Sequence, residues 1–269
     1  MGRALAILAG TGSLVGEVVA AAIGAGDRVR VFALVPQETL PGVDTVSADP
    51  RDPERLLADV AAFGASHVVM AGGLMLTDQM RERLGGLTGA SALGDAALSQ
   101  FARTLIARSG AQLIGVHEVS ETLLAASGHI AGPPVTEATL TVAAFALGVA
   151  REIGRLDLGQ AVVVSGSRVV AAEDVAGTDE LMRRVGRYRE QGLLGGGTST
   201  LLLAKAKKPQ QPMHVDLPAI GVDTVRTAAE AGISVIAVEA GRTLVLSRTP
   251  LVEAARSHGV SVIGLAGDD

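Results

Sequence analysis

The sequence lacks cysteine and tryptophan and is poor in aromatic residues, and each of these absences narrows the possible classes of protein. Without cysteine the chain has no disulfide framework and no thiolate metal site, which is typical of a reducing compartment. Aromatic residues make up 2% of the chain and hydrophobic residues 48%, so the cores have to be built from Val, Leu, Ile and Ala. A net charge of −5 argues against nucleic acid as the main partner.

Long apolar runs are also missing. No segment approaches the roughly 18 unbroken apolar residues that a membrane-spanning helix requires. The apolar run near the N-terminus breaks at a glycine-rich turn and is shorter than the core of a signal peptide. We therefore expect a cytoplasmic protein.

Short apolar strands alternate with helical segments along the first half of the chain, which predicts an α/β fold with a parallel sheet covered on both faces. The glycines and prolines of "SGHIAGPPVTEAT" predict a domain boundary. The second half has a different order of predicted strands and helices, which includes a β-hairpin over residues 160–173. We predict a Rossmann-like nucleotide-binding domain over residues 1–132, a connector helix within 133–156 and a distinct α/β domain over 157–269.

Two glycine-rich turns follow strands in the first half, "LAGTGSLVG" and "MAGGLM". Bare backbone amides at the start of a helix suit a phosphate, so the turns predict a nucleotide cradle formed by Gly10, Gly12, Ser13, Gly72 and Gly73. The alternative is that these are tight turns that bind nothing. The acidic residue that dinucleotide folds use to hold a ribose is absent at the end of "VFALVPQE", which disfavours a nicotinamide-dependent oxidoreductase.

A third candidate is "AKAKKPQQPMHVDLPAIG", in which lysines and prolines gather around a single carboxylate, Asp216. Strand alternation predicts that Lys205 and Lys207 point to one side. Cations beside a carboxylate suit a polyanionic substrate, with the carboxylate binding a divalent metal or accepting a proton from water. The alternative is an exposed loop. Upstream, Thr178 and Asp179 of "GTD" either cap a helix or face a phosphate or metal.

Four stretches together, "LDLGQAVVV", "GTD", "KAKKPQQ" and "VDLPAIG", followed by "AAEAGISVIAVEAGRTLVL", resemble the LpxI-type UDP-2,3-diacylglucosamine pyrophosphatases of bacterial lipid A synthesis. "ILAGTGSL" and "GDAALSQ" in the first half match more loosely. The resemblance implies a Rossmann-like domain, a distinct C-terminal domain and a substrate cleft between them. It also implies attack of water on the pyrophosphate, dependent on magnesium or manganese, giving UMP and 2,3-diacylglucosamine 1-phosphate.

Residue by residue, the resemblance implies that Asp216 is the catalytic residue and a metal ligand, with Asp179 as a second ligand. It implies substrate-binding roles for Gln160, Thr178, Asp179, Lys205, Lys208, Gln211 and His214. A lipid substrate also implies peripheral contact with the inner membrane, and we expect a homodimer.

The chain departs from the family pattern at Pro212, His214, Ala219 and Ala176. Pro212 and Ala176 replace expected acidic residues, and His214 replaces an arginine. Each lost charge-assisted contact costs about 1.5–3 kcal/mol, so these changes weaken phosphate and metal binding. His214 replaces the arginine only while it is protonated, which at neutral pH requires a raised pKa. The alternative function is therefore a non-catalytic protein that binds a nucleotide or lipid sugar.

Overall fold

The structure is a computed structural model, which describes residues 2–38, 40–73, 82, 95–194, 200–214 and 217–267, without the side chains of residues 95–99 and 101. The chain divides into two units. The first unit contains the residues up to Thr122, and the chain returns to it at Gln211 for a few residues. The second unit contains Leu123–Gln210 and the residues from Leu217 onwards.

The first unit is built on a five-stranded parallel sheet. Its strands are Ala4–Ala9 (β1), Arg28–Ala33 (β2), Asp44–Ser47 (β3), His67–Ala71 (β4) and Gln112–Ile114 (β5). Its helices are Leu14–Gly24 (α1), Pro53–Phe63 (α2), Asp95–Ala107 (α3) and Val116–Val119 (α4). The strand order is β3-β2-β1-β4-β5, which is the order of a doubly wound dinucleotide-type sheet.

Apolar side chains from both the sheet and the helices hold this unit together. Phe32 of β2 and Phe63 of α2 meet edge to face, with ring centroids 6.5 Å apart, in a core cluster that also contains Val68 and Ile106. Strands buried on both faces read as continuous apolar runs, and for that reason β1 and β4 could be recognised from sequence.

The second unit contains a six-stranded mixed sheet and a two-stranded parallel sheet. Its strands are Gly128–Ala131 (β6), Ala161–Ser165 (β7), Arg168–Ala172 (β8), Leu201–Lys205 (β9), Ala219–Ile220 (β10), Val235–Glu239 (β11), Leu244–Val245 (β12) and Ser261–Leu265 (β13). Its helices are Glu137–Arg155 (α5), Gly177–Glu190 (α6), Val222–Glu230 (α7) and Arg248–His258 (α8). A short 3-10 helix, Glu121–Leu123, contains the point in the chain where the first unit ends and the second begins.

The order of the larger sheet is β6-β13-β11-β9-β7-β8, with β9, β11 and β13 parallel and the other pairings antiparallel. Alternation along the strands separates two cores. Val163 of β7 belongs to the cluster that contains the apolar residues of α6, α7 and α8. Val162 and Val164 belong to the cluster that contains those of α5. The sheet is therefore covered by α5 on one face and by three helices on the other.

The fold class agrees with the prediction from sequence, but the observed division differs from the predicted boundary at residue 132. β6 lies before that boundary, yet it pairs with β13 in the second sheet. The predicted connector helix, α5, belongs to the second unit because its Ala143, Leu147 and Ala150 are buried against that sheet. Proline and glycine around residue 132 mark a turn within the unit.

None of the helices in the described residues is long and apolar enough to cross a membrane.

Candidate active site

The carboxyl end of β9 carries the first of the clustered lysines. Leu201 and Leu203 point into the core beneath α6, α7 and α8, and Leu202 and Ala204 point the other way. The next residue of the alternation, Lys205, therefore lies on the face that α6 covers. Its residue exposure is only 8%, which means that its ammonium group is placed by neighbours within the fold.

Those neighbours form a chain of polar groups. Lys205 Nζ donates to Thr178 Oγ1 at 3.0 Å and to the carbonyl oxygen of Ala219 at 3.2 Å. The hydroxyl of Thr178 donates in turn to Glu173 Oε1. The other carboxylate oxygen, Glu173 Oε2, accepts the backbone N–H of Gln160 at 2.7 Å. Gln160 and Thr178 thus meet at one carboxylate, and Lys205 is linked to it through Thr178.

Sequence reasoning missed Glu173. It stands between β8 and the "GTD" turn, where an acidic residue looks like part of a solvated loop. The one sequence feature that could have indicated Glu173 is its position, five residues before Thr178 on the segment that joins a strand to a helix. The side-chain oxygen Oε1 of Gln160 is buried and has no hydrogen-bond partner among the residues that the structure describes.

Thr178 and Asp179 do not cap α6. The helix begins at Gly177, so its N-cap is Ala176, whose methyl group cannot accept a hydrogen bond. The Thr178 hydroxyl is instead engaged by Glu173 and Lys205. Asp179 is exposed in the first turn of α6, where the helix dipole favours a negative charge.

β9 ends at Lys205, so the alternation does not continue to the next lysines. Lys208 Nζ forms an ion pair of 2.7 Å with Asp157 Oδ1, and the Lys208 side chain is 10% exposed. Asp157 has a positive φ of 58°, a conformation in which aspartate and asparagine are enriched. Gly154 faces this segment, since a Cβ there would lie 3.2 Å from the Cα of Lys208.

Lys207 belongs to a second buried polar group centred on Glu239, at the end of β11. Glu239 Oε2 accepts the backbone N–H of Lys207 at 3.0 Å, and Oε1 accepts Arg151 Nε at 3.1 Å. Arg242 approaches the same carboxylate at 3.5 Å. Burial lowers the pKa of the Lys207 amine, the charge of Arg242 lowers it further, and Glu239 raises it in part. The main chain of the lysine segment is thus fixed by a buried carboxylate.

In the first unit, the two glycine turns lie together, as predicted for turns on the same sheet edge. Thr11 N–H donates to the Gly73 carbonyl at 2.7 Å, and Gly73 N–H donates to the Thr11 carbonyl at 2.9 Å. A Cβ on Gly10 would lie 2.3 Å from the Gly73 oxygen, and one on Gly72 would lie 2.5 Å from the Thr11 oxygen. Close approach of the two backbones therefore explains these two glycines without a ligand.

The start of α1 is more open. Gly12 has a φ of 100°, and no atom of the described residues lies within 4 Å of a Cβ added there. Ser13 is exposed at the N-cap position, and its side chain makes no capping hydrogen bond. Of the five positions of the predicted nucleotide cradle, Gly12, Ser13 and Gly73 are exposed among the described residues.

The returning segment of the first unit contains Gln211, which is buried, and His214, which is partly buried. Burial lowers the pKa of His214, and the charges of Arg103 and His117 lower it further, while Glu118 raises it. The imidazole is thus mostly neutral at pH 7, because its pKa lies below the ordinary value of 6.5. The raised pKa that would let His214 replace an arginine is not found.

Asp216, the predicted catalytic residue, lies outside the described residues. Within the described part of the chain, no three His, Asp or Glu side chains are grouped in a way that would hold a metal ion. Asp179 is the member of the predicted ligand pair that the structure describes.

The two sheets and the buried lysines at the end of β9 define a two-unit α/β protein with a polar cluster of ammonium, hydroxyl and carboxylate groups. A family model for the LpxI N-terminal domain matches residues 4–123, and one for the LpxI C-terminal domain matches residues 126–263. The UDP-2,3-diacylglucosamine pyrophosphatase LpxI of Caulobacter vibrioides is 34% identical over 277 aligned residues, covering 98% of each chain. The chain belongs to the LpxI family.

A solved structure, glycinamide-RNase-transformylase T from Mycobacterium tuberculosis, matches 64% of this chain and 44% of its own. The identity is 16% and the TM-score 0.25, so this match carries no argument about function.

Proposed function

We propose that the protein hydrolyses the pyrophosphate of UDP-2,3-diacylglucosamine to UMP and 2,3-diacylglucosamine 1-phosphate, a step of lipid A synthesis. The observation that carries the proposal is the 34% identity to a UDP-2,3-diacylglucosamine pyrophosphatase along 98% of both chains. Similarity over the whole length includes both units and every motif of the candidate site.

The chemistry of the described lysines supports this substrate class. A pyrophosphate diester carries two negative charges, and ammonium groups such as those of Lys205 and Lys208 offset them. Fixing such groups before the substrate arrives reduces the entropy lost on binding. Their contacts with Thr178 and Asp157 fix both amines within the fold.

In the proposed reaction, the oxygen of a water molecule bonds to one phosphorus of the pyrophosphate. The bond from that phosphorus to the bridging oxygen breaks, and the second phosphate leaves with the bridging oxygen. Asp216 is proposed to accept the proton that the attacking water loses.

We propose that magnesium binds with Asp179 and Asp216 as ligands. When bound, a divalent ion would neutralise charge on the phosphate oxygens. The support for this cofactor is the family resemblance and the preference of magnesium for carboxylate oxygens. A cytoplasmic location with peripheral contact at the inner membrane, and a homodimer, belong to the same proposal.

A second candidate function is non-catalytic binding of a nucleotide or lipid sugar. The lowered pKa of His214 favours it, because a neutral imidazole cannot replace the charge of an arginine beside phosphate groups. The proline at position 212 and the alanine at 176 remove two further charges relative to the family pattern.

The test is UMP release from UDP-2,3-diacylglucosamine by the parent protein and by Asp216→Ala and Asp179→Asn. Asp223→Ala is the matched control, since the side chain of Asp223 is 90% exposed on α7. We expect release by the parent and the control, loss of release in Asp216→Ala, and recovery of a chelated sample on addition of magnesium. Binding of the substrate without release would contradict hydrolysis and support the second function. Release by Asp216→Ala at the parent's rate would refute the role of that carboxylate.

A further inference from the structure

The carboxylate of Glu173 accepts hydrogen bonds from Gln160 and Thr178 of the candidate site, and neither the sequence motifs nor the comparisons assign it a role. We propose that Glu173 is a positioning residue that orients Thr178 and, through Thr178, the ammonium group of Lys205 towards the pyrophosphate. This inference rests on the proposed function for the identity of the anion.

The direction of every hydrogen bond in the cluster is fixed by chemistry. An ammonium group can only donate, so Lys205 donates to the oxygen of Thr178. A carboxylate can only accept, so the single hydroxyl proton of Thr178 goes to Glu173. Glu173 therefore determines which way the hydroxyl turns, and the hydroxyl lone pair that results faces Lys205.

The backbone of Glu173 is held firmly enough for this task. Its N–H donates to the Ala161 carbonyl at 2.8 Å, which extends the pairing of β8 with β7 by one residue. A Cβ at Gly159 would lie 2.7 Å from the Glu173 carbonyl oxygen, so this close approach requires glycine. Its second carboxylate oxygen accepts the Gln160 N–H, which fixes the rotation of the carboxylate.

The adjacent carboxylate, Asp174, has a different environment. It accepts the Ala176 N–H at 2.9 Å and pairs with Arg184 at 2.7 Å, and its side chain is 49% exposed. These contacts tie the turn to α6 and do not reach Lys205. Asp174 is therefore a matched control for Glu173, one residue away on the same segment.

The proposed role predicts that glutamine cannot replace Glu173. If the amide oxygen faces Thr178, the amide NH2 meets the Gln160 N–H, and two donors oppose each other. If the amide is turned, its NH2 donates to Thr178, which then receives two donors and has no acceptor for its own proton. In either orientation one hydrogen bond of the cluster is lost, together with the negative charge that accepts the Thr178 proton.

The experiment is a double-mutant cycle on kcat/KM for UMP release, with Glu173→Gln, Lys205→Met and the double variant, beside Asp174→Asn. We expect Glu173→Gln to lower kcat/KM roughly 10- to 100-fold. If Glu173 acts through Lys205, the double variant will be no slower than Lys205→Met alone. Asp174→Asn is expected to remain within about threefold of the parent, and far-UV circular dichroism with urea unfolding verifies that each variant is folded.

Additive losses in the cycle would overturn the proposal, because they would mean that Glu173 contributes to stability or folding and not through Lys205. An unchanged kcat/KM in Glu173→Gln would overturn it as well. If the parent releases no UMP, the proposed function is wrong, but the positioning role of Glu173 can still be tested. In that case the affinity for inorganic pyrophosphate is measured by calorimetry for the same four proteins of the cycle. Weakened pyrophosphate binding in Glu173→Gln that disappears in the Lys205→Met background would still support the positioning role, and a parent that binds no pyrophosphate would refute it.

Discussion

Replacing Glu239 with glutamine is expected to destabilise the second unit, because the carboxylate of Glu239 is the centre of a buried polar group. Glu239 is 1% exposed at the end of β11, and its two oxygens accept Arg151 Nε and the backbone N–H of Lys207. Glutamine keeps the shape of the side chain but presents an NH2 group in place of one oxygen. Whichever way the amide turns, that NH2 meets a donor.

The magnitude follows from the burial of the partners. Arg151 is 19% exposed and would keep its charge without a counter-charge at 3.1 Å. Removing one partner of a buried ion pair costs about 3–5 kcal/mol, and a lost hydrogen bond to a charged group costs about 1.5–3 kcal/mol. Because Arg151 and Arg242 keep some contact with water, we expect about 3 kcal/mol, or a fall in Tm of ~6–12 °C for a unit of this size.

Urea unfolding followed by far-UV circular dichroism measures the loss, with an unchanged m-value as the sign that only stability has changed. The matched control is Glu152→Gln on the same helix as Arg151, because Glu152 pairs with Arg155 in a contact where both side chains are more than 60% exposed. That pair is expected to contribute less than about 1 kcal/mol. Equal losses in the two variants would refute the reasoning that burial makes the Glu239 contacts strong.

Three further predictions concern the candidate site. Asp157→Asn removes the ion pair with Lys208, but asparagine tolerates the positive φ; because Asp157 is 37% exposed, we expect the free energy of unfolding to fall by less than about 1 kcal/mol. Asp157→Ala should lose roughly 1 kcal/mol more in urea unfolding, because alanine does not tolerate the positive φ. Equal losses in the two variants would contradict this. Gly10→Ala should cost at least ~1–3 kcal/mol because its Cβ would overlap the facing turn. Gly12→Ala meets no atom of the described residues, so it should cost only the strain of its positive φ, about 1 kcal/mol by the same assay. The lowered pKa of His214 means that the unfolded chain binds its proton more readily. Stability present above pH 6.5 is therefore lost as the pH falls from 6.5 through the lower pKa of the folded state, and His214→Gln should flatten this dependence. A parent that gains stability on acidification through this range would show the opposite sign.

The continuous apolar strands and the long amphipathic helix could be predicted from sequence, because burial on both faces or along one stripe leaves a periodic signal. The hairpin of β7 and β8 was predicted over residues 160–173, and the structure places its strands at Ala161–Ser165 and Arg168–Ala172. β3 leaves no such signal, since its residues are mostly exposed at the edge of the sheet. β6 contains a glycine and follows a loop, so it resembles a linker until its partner is known.

The candidate site was predictable as a set of motifs but not as a set of contacts. Lys205 and Thr178 lie far apart in sequence, and only the alternation along β9 and the packing of α6 bring them together. Glu173 carried no distinguishing pattern. The expectation for Lys207 depended on the length of β9, and strand ends are where single-sequence prediction is least reliable.

The pairing of β6 with β13 has a consequence for synthesis on the ribosome. All five strands of the first sheet have been made once residue 114 is complete, so that sheet can assemble while translation continues. β6 emerges soon afterwards, but its partner is the last strand of the second sheet, roughly 130 residues later. At a translation rate of 5–20 residues per second, roughly 7–26 s pass before the backbone N–H and C=O groups of β6 can pair with that strand. The nascent second unit therefore depends on the shortness of β6, which has only four residues, to resist premature pairing with other chains.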